Sequence, residues 1–392
     1  MIRFWSILKN NITTVKNISA IGIADIAGTA ISAAFWLYLA SIMVPDDYGI
    51  IHYYIAISSI AATISLLGSE NTLKVYLPKQ VMIQSTLYVI TIIASAITSV
   101  VLFFIYNKIE VVILTLGFII SSLTIAETFG RKQFSTYSKF FILQKILLVI
   151  FALSLYYLFG KEGVLYGLAA SFAIYIWQIY LCFRNSKIDF GLIRERLAFF
   201  LTSFAQTFSG VARGQVDKLI IAPILGFELL GNYSFALQVV AILMIFPNVI
   251  YKYTVPVDSS GKSTVTVKKV TVLVSVIIAV VSAFVSPFVI DYFFPKYTMA
   301  SQAIQILSFH PIPGTIGLMI NSKFLGMEKN RLVLIGTIIS LSVNISGVII
   351  LGPLLGIVGT SLAFVLSSTA NCAYLIIMNN KMKSGKSPPV IS

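Results

Sequence analysis

Twelve apolar runs, most of them about 17 to 25 residues long and so matched to the hydrocarbon core of a bilayer, make up most of this 392-residue chain. Their limits read as 18–44, 48–67, 84–105, 111–126, 140–158, 164–183, 197–225, 229–250, 270–289, 303–325, 332–351 and 355–378. With no water in the hydrocarbon layer, every backbone N–H and C=O must be satisfied inside its own segment, so runs of this length form helices. Composition removes the soluble alternative. Hydrophobic residues are 58% and charged residues 11% of the chain, with a mean hydropathy of +0.93, which in water would expose a vast apolar surface. The expectation is an all-α polytopic membrane protein with 12 transmembrane helices.

The charges fix an orientation. With both termini inside, twenty-two of the 28 Lys and Arg fall in inner segments, while only Lys108, Lys161 and Lys296 lie outside. Acidic loop residues split evenly, as a rule that counts Lys and Arg rather than net charge requires. The net charge of +14 is then topology, and no nucleic-acid partner is called for. Residues 1–17 mix Ile2, Phe4, Trp5 and Leu8 with Arg3, Lys9 and Lys16 and read as an interfacial segment rather than a removable signal peptide. Cys182 and Cys372 lack a pairing pattern and are expected to be reduced thiols at inner helix ends.

Five charges remain in the spans: Asp25, Lys145, Arg213, Asp217 and Lys218. In the run 197–225, Ser203, Gln206, Gly210, Arg213 and Asp217 recur at steps of three or four, which places them on one helical stripe. A charge near the bilayer centre costs about 3 kcal/mol on insertion scales, so such a stripe should face protein or water. Arg213 and Asp217 could equally neutralise each other as an i, i+4 pair. Lys145 could snorkel to the interface. Asp25 sits on a second stripe with Gly22, Thr29, Ser32 and Trp36, where it could be protonated and simply hydrogen-bonded. His52 and His310 read as ordinary hydrogen-bonding residues before proton relays, Pro311 and Pro313 as a kink able to serve as a hinge, and Tyr156, Tyr157, Tyr292 and Tyr297 as an outer aromatic belt.

Internal repetition divides the twelve spans in two. A shift of 182 lays Leu37, Ala40, Ile42 and Gly49 on Leu219, Ala222, Ile224 and Gly231, with Asp46 on Glu228. A looser echo pairs Gly163-Val164 with Gly356-Ile357 and Ala170 with Ala363. Both halves start inside, so they are parallel repeats, as in alternating-access carriers. The expected organisation is 1–17 interfacial, 18–183 a first six-helix lobe, 184–196 a cytoplasmic linker, 197–378 a second six-helix lobe, and 379–392 a cytoplasmic tail.

The run Arg213-Gly214-Gln215-Val216-Asp217-Lys218-Leu219-Ile220-Ile221, followed by Leu225-Gly226 and by Leu230-Gly231-Asn232-Tyr233-Ser234-Phe235-Ala236, resembles the middle signature of Wzx-type polysaccharide-unit flippases. The turn Gly326-Met327-Glu328-Lys329-Asn330 and the segment from Leu355 to Ala363 add to it. The resemblance implies a MATE-like fold and transfer of lipid-linked oligosaccharide across a cell (inner) membrane, as in O-antigen and lipopolysaccharide assembly. A glycan polymerase or ligase would be a natural partner of that process, beside membrane lipids.

Such a substrate presents phosphate, hydroxyls and a lipid tail. Arg213 and Lys218 could meet the anion, Gln206, Thr29, Gln305 and Asn344 the hydroxyls, and Trp36 a sugar face. Asp25 or Asp217 could bind a proton or Na⁺ and bias two conformations. No metal cluster, cofactor motif or nucleophile set is present in the sequence, so a non-enzyme is expected. The rival readings are a MATE-like drug/cation antiporter, which would concentrate acids in its cavity, and a membrane-embedded glycan polymerase or ligase, which would need catalytic groups.

Overall fold

A computed structural model describes residues 2–177, 188–259, 264–327 and 329–383, with side chains from residue 22 onward except those of Pro256, Ser259 and Lys383. Cys182, the linker's Arg184 and Lys187, Lys262, Glu328 and the tail beyond residue 383 lie outside the described residues, as do the side chains of the N-terminal interfacial segment. The described residues form fifteen α-helices and no strand. In chain order they are α1 (Ile2–Ile42), α2 (Pro45–Leu66), α3 (Ser69–Tyr76), α4 (Gln84–Tyr106), α5 (Ile109–Gly130), α6 (Phe134–Phe159), α7 (Lys161–Ser171), α8 (Gly191–Arg194), α9 (Leu197–Leu225), α10 (Phe227–Leu243), α11 (Ile245–Ser259), α12 (Val265–Phe293), α13 (Thr298–Leu307), α14 (Pro311–Gly326) and α15 (Asn330–Lys383).

Seven of these helices are long and apolar enough to cross a membrane, or nine segments if each bent helix pair is one span. The pairs are α10 with α11, bent by 49°, and α13 with α14, bent by 44°. Of the three further expected spans, one is supplied by α15, which covers both of the last two, α9 coincides with the run 197–225, and α7 covers the start of the expected run 164–183, whose end lies outside the described residues. Helix α15 is really two helices, because Gly356 breaks it with φ 58° and ψ −132°. Gly160, between α6 and α7, adopts nearly the same conformation, φ 66° and ψ −143°. Only glycine reaches this region without strain.

That match corrects the register of the second echo. Gly163 would place a side-chain carbon onto the Leu155 carbonyl, and Gly359 would do the same to the Leu351 carbonyl. Ser171 donates to Leu168 O at 2.6 Å, and Ser367 to Phe364 O at 2.7 Å. All of these pairs differ by 196, not by the 193 of the Gly163/Gly356 alignment.

Burial is inverted relative to a soluble protein. Phe104, Phe284, Phe288 and Tyr292 are between 74% and 81% exposed, whereas Thr86, Thr91, Ser275 and Thr315 are buried. Apolar side chains gain nothing by leaving lipid, so helices associate through small and hydroxylic residues. By their contacts the residues fall into two compact units, one of Met1–Phe35 with Ile57–Val211, the other of Trp36–Ala56 with Ala212–Ser392.

In the first unit, Ser69 with Thr91 (3.2 Å) and Ser65 with Thr98 (3.0 Å) join neighbouring helices. Buried Glu127 is held by Arg131 at 2.6 Å and by the Tyr88 hydroxyl at 2.9 Å. In the second, Ser275 meets Thr315 and Ser282 meets Ser308, each at 2.8 Å. Asp258 closes the same seam, accepting from Lys268 and Ser322. The partners on one side, 268, 275 and 282, and on the other, 322, 315 and 308, step by seven in opposite directions, the register of an antiparallel helix pair.

Candidate functional site

Residues of the second unit line an open cavity of about 460 Å³. The helices that line it from two sides, α2 and α10, cross closely near their starts. A side-chain carbon on Gly49 would overlap the Phe227 carbonyl, and one on Gly231 would overlap the Pro45 carbonyl. These contacts are reciprocal under the shift of 182, since Pro45 maps onto Phe227 and Gly49 onto Gly231.

The same shift organises the cavity wall one turn and more beyond that crossing. Trp36, His52 and Ile55 line it from α1 and α2, and Lys218, Ser234 and Leu237 line it from α9 and α10. Each of the first three lies 182 residues before its counterpart. The His52 ring lies tilted between Trp36 (4.7 Å) and Tyr48 (4.6 Å), and Tyr48 continues edge-on to Tyr297 at 5.9 Å. Opposite in chemistry, Lys218 Nζ donates to the Gly214 carbonyl at 2.6 Å and lies 3.5 Å from Asp217 Oδ1. His310 and Phe364 complete the wall with Gln215, and the His310 ring is fixed by Ser368 at 2.8 Å. His52 Nε2, Gln215 Oε1 and Ser234 Oγ find no partner among the described residues. The described lining contains a lysine and two histidines and no carboxylate.

Asp217 stands behind this wall. Its side chain is fully buried beside Lys218, accepts from the Tyr233 hydroxyl at 2.8 Å on Oδ2, and accepts from the Lys218 backbone N–H at 2.8 Å on Oδ1. The i, i+4 pair of Arg213 with Asp217 does not form. A tyrosine from α10 and the adjacent lysine take both carboxylate oxygens, leaving Arg213 half-buried, without an ion-pair or hydrogen-bond partner among the described residues, and within electrostatic reach of His310.

The other sequence candidates are dispersed. Asp25, in the first unit, accepts from the Tyr137 hydroxyl at 2.7 Å, and the Thr29 hydroxyl returns to the Asp25 carbonyl of its own helix at 2.6 Å. Lys145 lays its stem on Gly28 and its ammonium 5.3 Å from the Phe141 ring centre. Gln206 and Gln305 are exposed and Asn344 is buried, its Oδ1 unpartnered. Pro311 and Pro313 occupy the first turn of α14, directly after the 44° bend. Tyr157 and Tyr292 are exposed as a belt requires, but Tyr297 is fully buried against Tyr48 and Phe235, a correction to its expected place. Cys372 is a free thiol. Of the cavity lining, Gln215, Ser234, Gln238 and Asn248 were not singled out from the sequence. The 182-residue shift, applied to Trp36 and His52, leads directly to Lys218 and Ser234.

No family model matches the chain, and no curated protein matches it. Solved structures do. An inward-facing multidrug resistance MATE family transporter of the MOP superfamily superposes with a TM-score of 0.70 at 13% identity, over 92% of this chain and 95% of that one. Lipid II flippase MurJ, in an inward closed conformation, gives 0.57 at 14% identity over 97% and 88%. A MOP superfamily transporter from Pyrococcus furiosus Vc1, for which reverse polarity of the binding pocket suggests a different function, gives 0.61 at 16% identity over 95% and 97%. The chain is a multi-pass membrane protein with a MATE-like fold.

Proposed function

We propose that the protein is a flippase that carries lipid-linked oligosaccharide, a polyprenyl phosphate- or pyrophosphate-linked glycan repeat unit, from the cytoplasmic to the external leaflet by alternating access. One observation carries the reading: the cavity pairs a cationic wall, Lys218, with an aromatic wall, Trp36 and His52, and has no carboxylate in its described lining. A phosphate needs the first, a pyranose ring stacks on the second, and unpartnered Gln215 and Ser234 suit hydroxyls. Arg213, without an ion-pair partner among the described residues, adds positive charge within electrostatic reach of His310. The likeness to a lipid II flippase supports the substrate class, and the Lys and Arg asymmetry supports an inner-membrane placement with cytoplasmic termini.

The MATE-like drug/cation antiporter keeps one observation in its favour, the likeness to multidrug resistance transporters. An organic cation would, however, meet lysine where it needs a carboxylate. Asp25, which accepts from Tyr137, and Asp217, which accepts from Tyr233 and Lys218, are the carboxylates to which coupling to a proton or Na⁺ would fall. The two six-helix lobes, 18–183 and 197–378, would be the moving bodies, with Pro311 and Pro313 as a hinge. No catalytic role is assigned to any residue.

Binding by the purified protein discriminates the two readings. A short polyprenyl-phosphate oligosaccharide should bind and be competed by inorganic pyrophosphate, while tetraphenylphosphonium should not. Tight binding of the phosphonium with none of the glycan-lipid would transfer the assignment to the antiporter.

A further inference from the structure

The segment that leads into α9 is held to the first unit from both sides. Ile193 of α8 is buried in the cluster of Leu73, Ile83, Leu87 and Phe200. Two residues before α8, the Asp189 backbone N–H donates to the Thr86 hydroxyl at 2.8 Å, and that hydroxyl donates back to the Asp189 carbonyl at 3.2 Å. One oxygen of the exposed Asp189 carboxylate accepts from the Gly191 N–H at 2.8 Å, which ties this charge to its own turn. Pinned this way, the backbone presents Ile188 and Phe190 outward, 53% and 56% exposed, while Met82, four residues before Thr86, is 52% exposed. A segment that needed only to be a polar connection would not hold two large apolar side chains out in fixed positions.

Positive charge lies on the same two segments. Arg194 follows Phe190 by one turn, its backbone N–H bonded to the Phe190 carbonyl. Lys79 and Arg196 both lie over the Tyr76 ring, at 5.4 and 5.2 Å. Nearby acids are already engaged: Glu195 with Arg196 at 2.8 Å and Glu70 with Lys74 at 3.8 Å. Lys79 and Arg194 have no ion-pair partner among the described residues. Apolar anchors rimmed by cations are the chemistry of the interface of a negatively charged leaflet.

We propose that Met82, Ile188 and Phe190, with Lys79 and Arg194, form a docking surface for anionic lipid headgroups, which fixes the start of α9 at the membrane boundary. This surface lies outside the cavity and does not depend on what the cavity carries.

The test is photo-crosslinking of the full-length protein with p-benzoylphenylalanine in place of Phe190, reconstituted in vesicles of phosphatidylcholine with or without phosphatidylglycerol. Position 188 serves as an independent second site, and both side chains are exposed, so neither replacement disturbs packing. The expected result is a lipid adduct that favours phosphatidylglycerol several-fold over its share of the bilayer. Each cation near such a surface contributes about fivefold, so Lys79→Ala with Arg194→Ala should bring the preference close to unity. Absence of a lipid adduct at both sites, an equal yield from both lipids, or adducts only with a second copy of the chain would overturn the proposal.

Discussion

Residues 36–55 and 218–237 correspond under a shift of 182, and they differ where the cavity is and agree where the backbones touch. Gly49 and Gly231 are identical because each packs against a carbonyl of the other's helix, which leaves no room for a side chain. Trp36 and Lys218, and His52 with Ser234, occupy matched places in the cavity wall and share no chemistry. Close packing is a geometric demand that both copies must meet. The cavity makes no such demand, and its two walls have become one aromatic and one cationic.

The sharpest test of that division is Asp217. Removing it by Asp217→Ala leaves Lys218 buried without its counter-charge, and the loss should be about 3 to 5 kcal/mol, read as a large fall in the thermal unfolding midpoint in detergent. Recovery of most of that loss in the Asp217→Ala, Lys218→Met double variant would identify the stranded charge as the cause.

Next comes the crossing itself. Gly49→Ala and Gly231→Ala should each cost about 1 to 3 kcal/mol by overpacking, with similar effects from the two because the contacts are reciprocal. A tolerated change at either site would break the equivalence.

Substitutions at Trp36 in the wall, and at Arg213 on the helix that carries Lys218, should act on transfer rather than on folding. Arg213→Gln should lower glycan-lipid transfer about tenfold or more, the worth of a charge-assisted contact, at unchanged protein level, and Arg213→Lys should keep part of it. Trp36→Phe should be milder than Trp36→Ala, because a smaller ring still stacks.

The smallest effect concerns pH at the Lys-rich end of the second unit. Burial alone would raise the Asp258 carboxyl, but hydrogen bonds from Lys268, Ser322 and Thr264 outweigh it and hold the group below its ordinary value. Its stabilising contribution is therefore complete above the usual carboxylate range and is lost as pH falls through the depressed value. Asp258→Asn should lower the unfolding midpoint slightly at neutral pH and flatten its decline in acid.

Hydropathy made the helices legible because bilayer thickness dictates their length, and α9 coincides with the apolar run that encodes it. It could not show the bends at Met244 and at 308–310, since a broken span is as apolar as a straight one. The repeat was visible at Gly49 and Gly231, where geometry forces identity. It was misaligned by three residues at Gly356, where one glycine serves the turn and another the packing. Arg213 and Asp217 illustrate a different limit. Their spacing fixes that they share a helix face, but which partner each takes depends on Tyr233, which sits on another helix. Trp36 and Lys218 reached the cavity lining, whereas Gln206, Gln305 and Thr29 are exposed and Asn344 is buried elsewhere.

The central claim is that this cavity carries a glycan-lipid across the bilayer, and the sidedness of that lipid in cells lacking the protein tests it most directly. An impermeant glycosidase or lectin should find lipid-linked oligosaccharide accumulated and confined to the cytoplasmic leaflet. Oligosaccharide that reaches the outer face but stays unpolymerised or untransferred would contradict the account and place the protein after the flipping step.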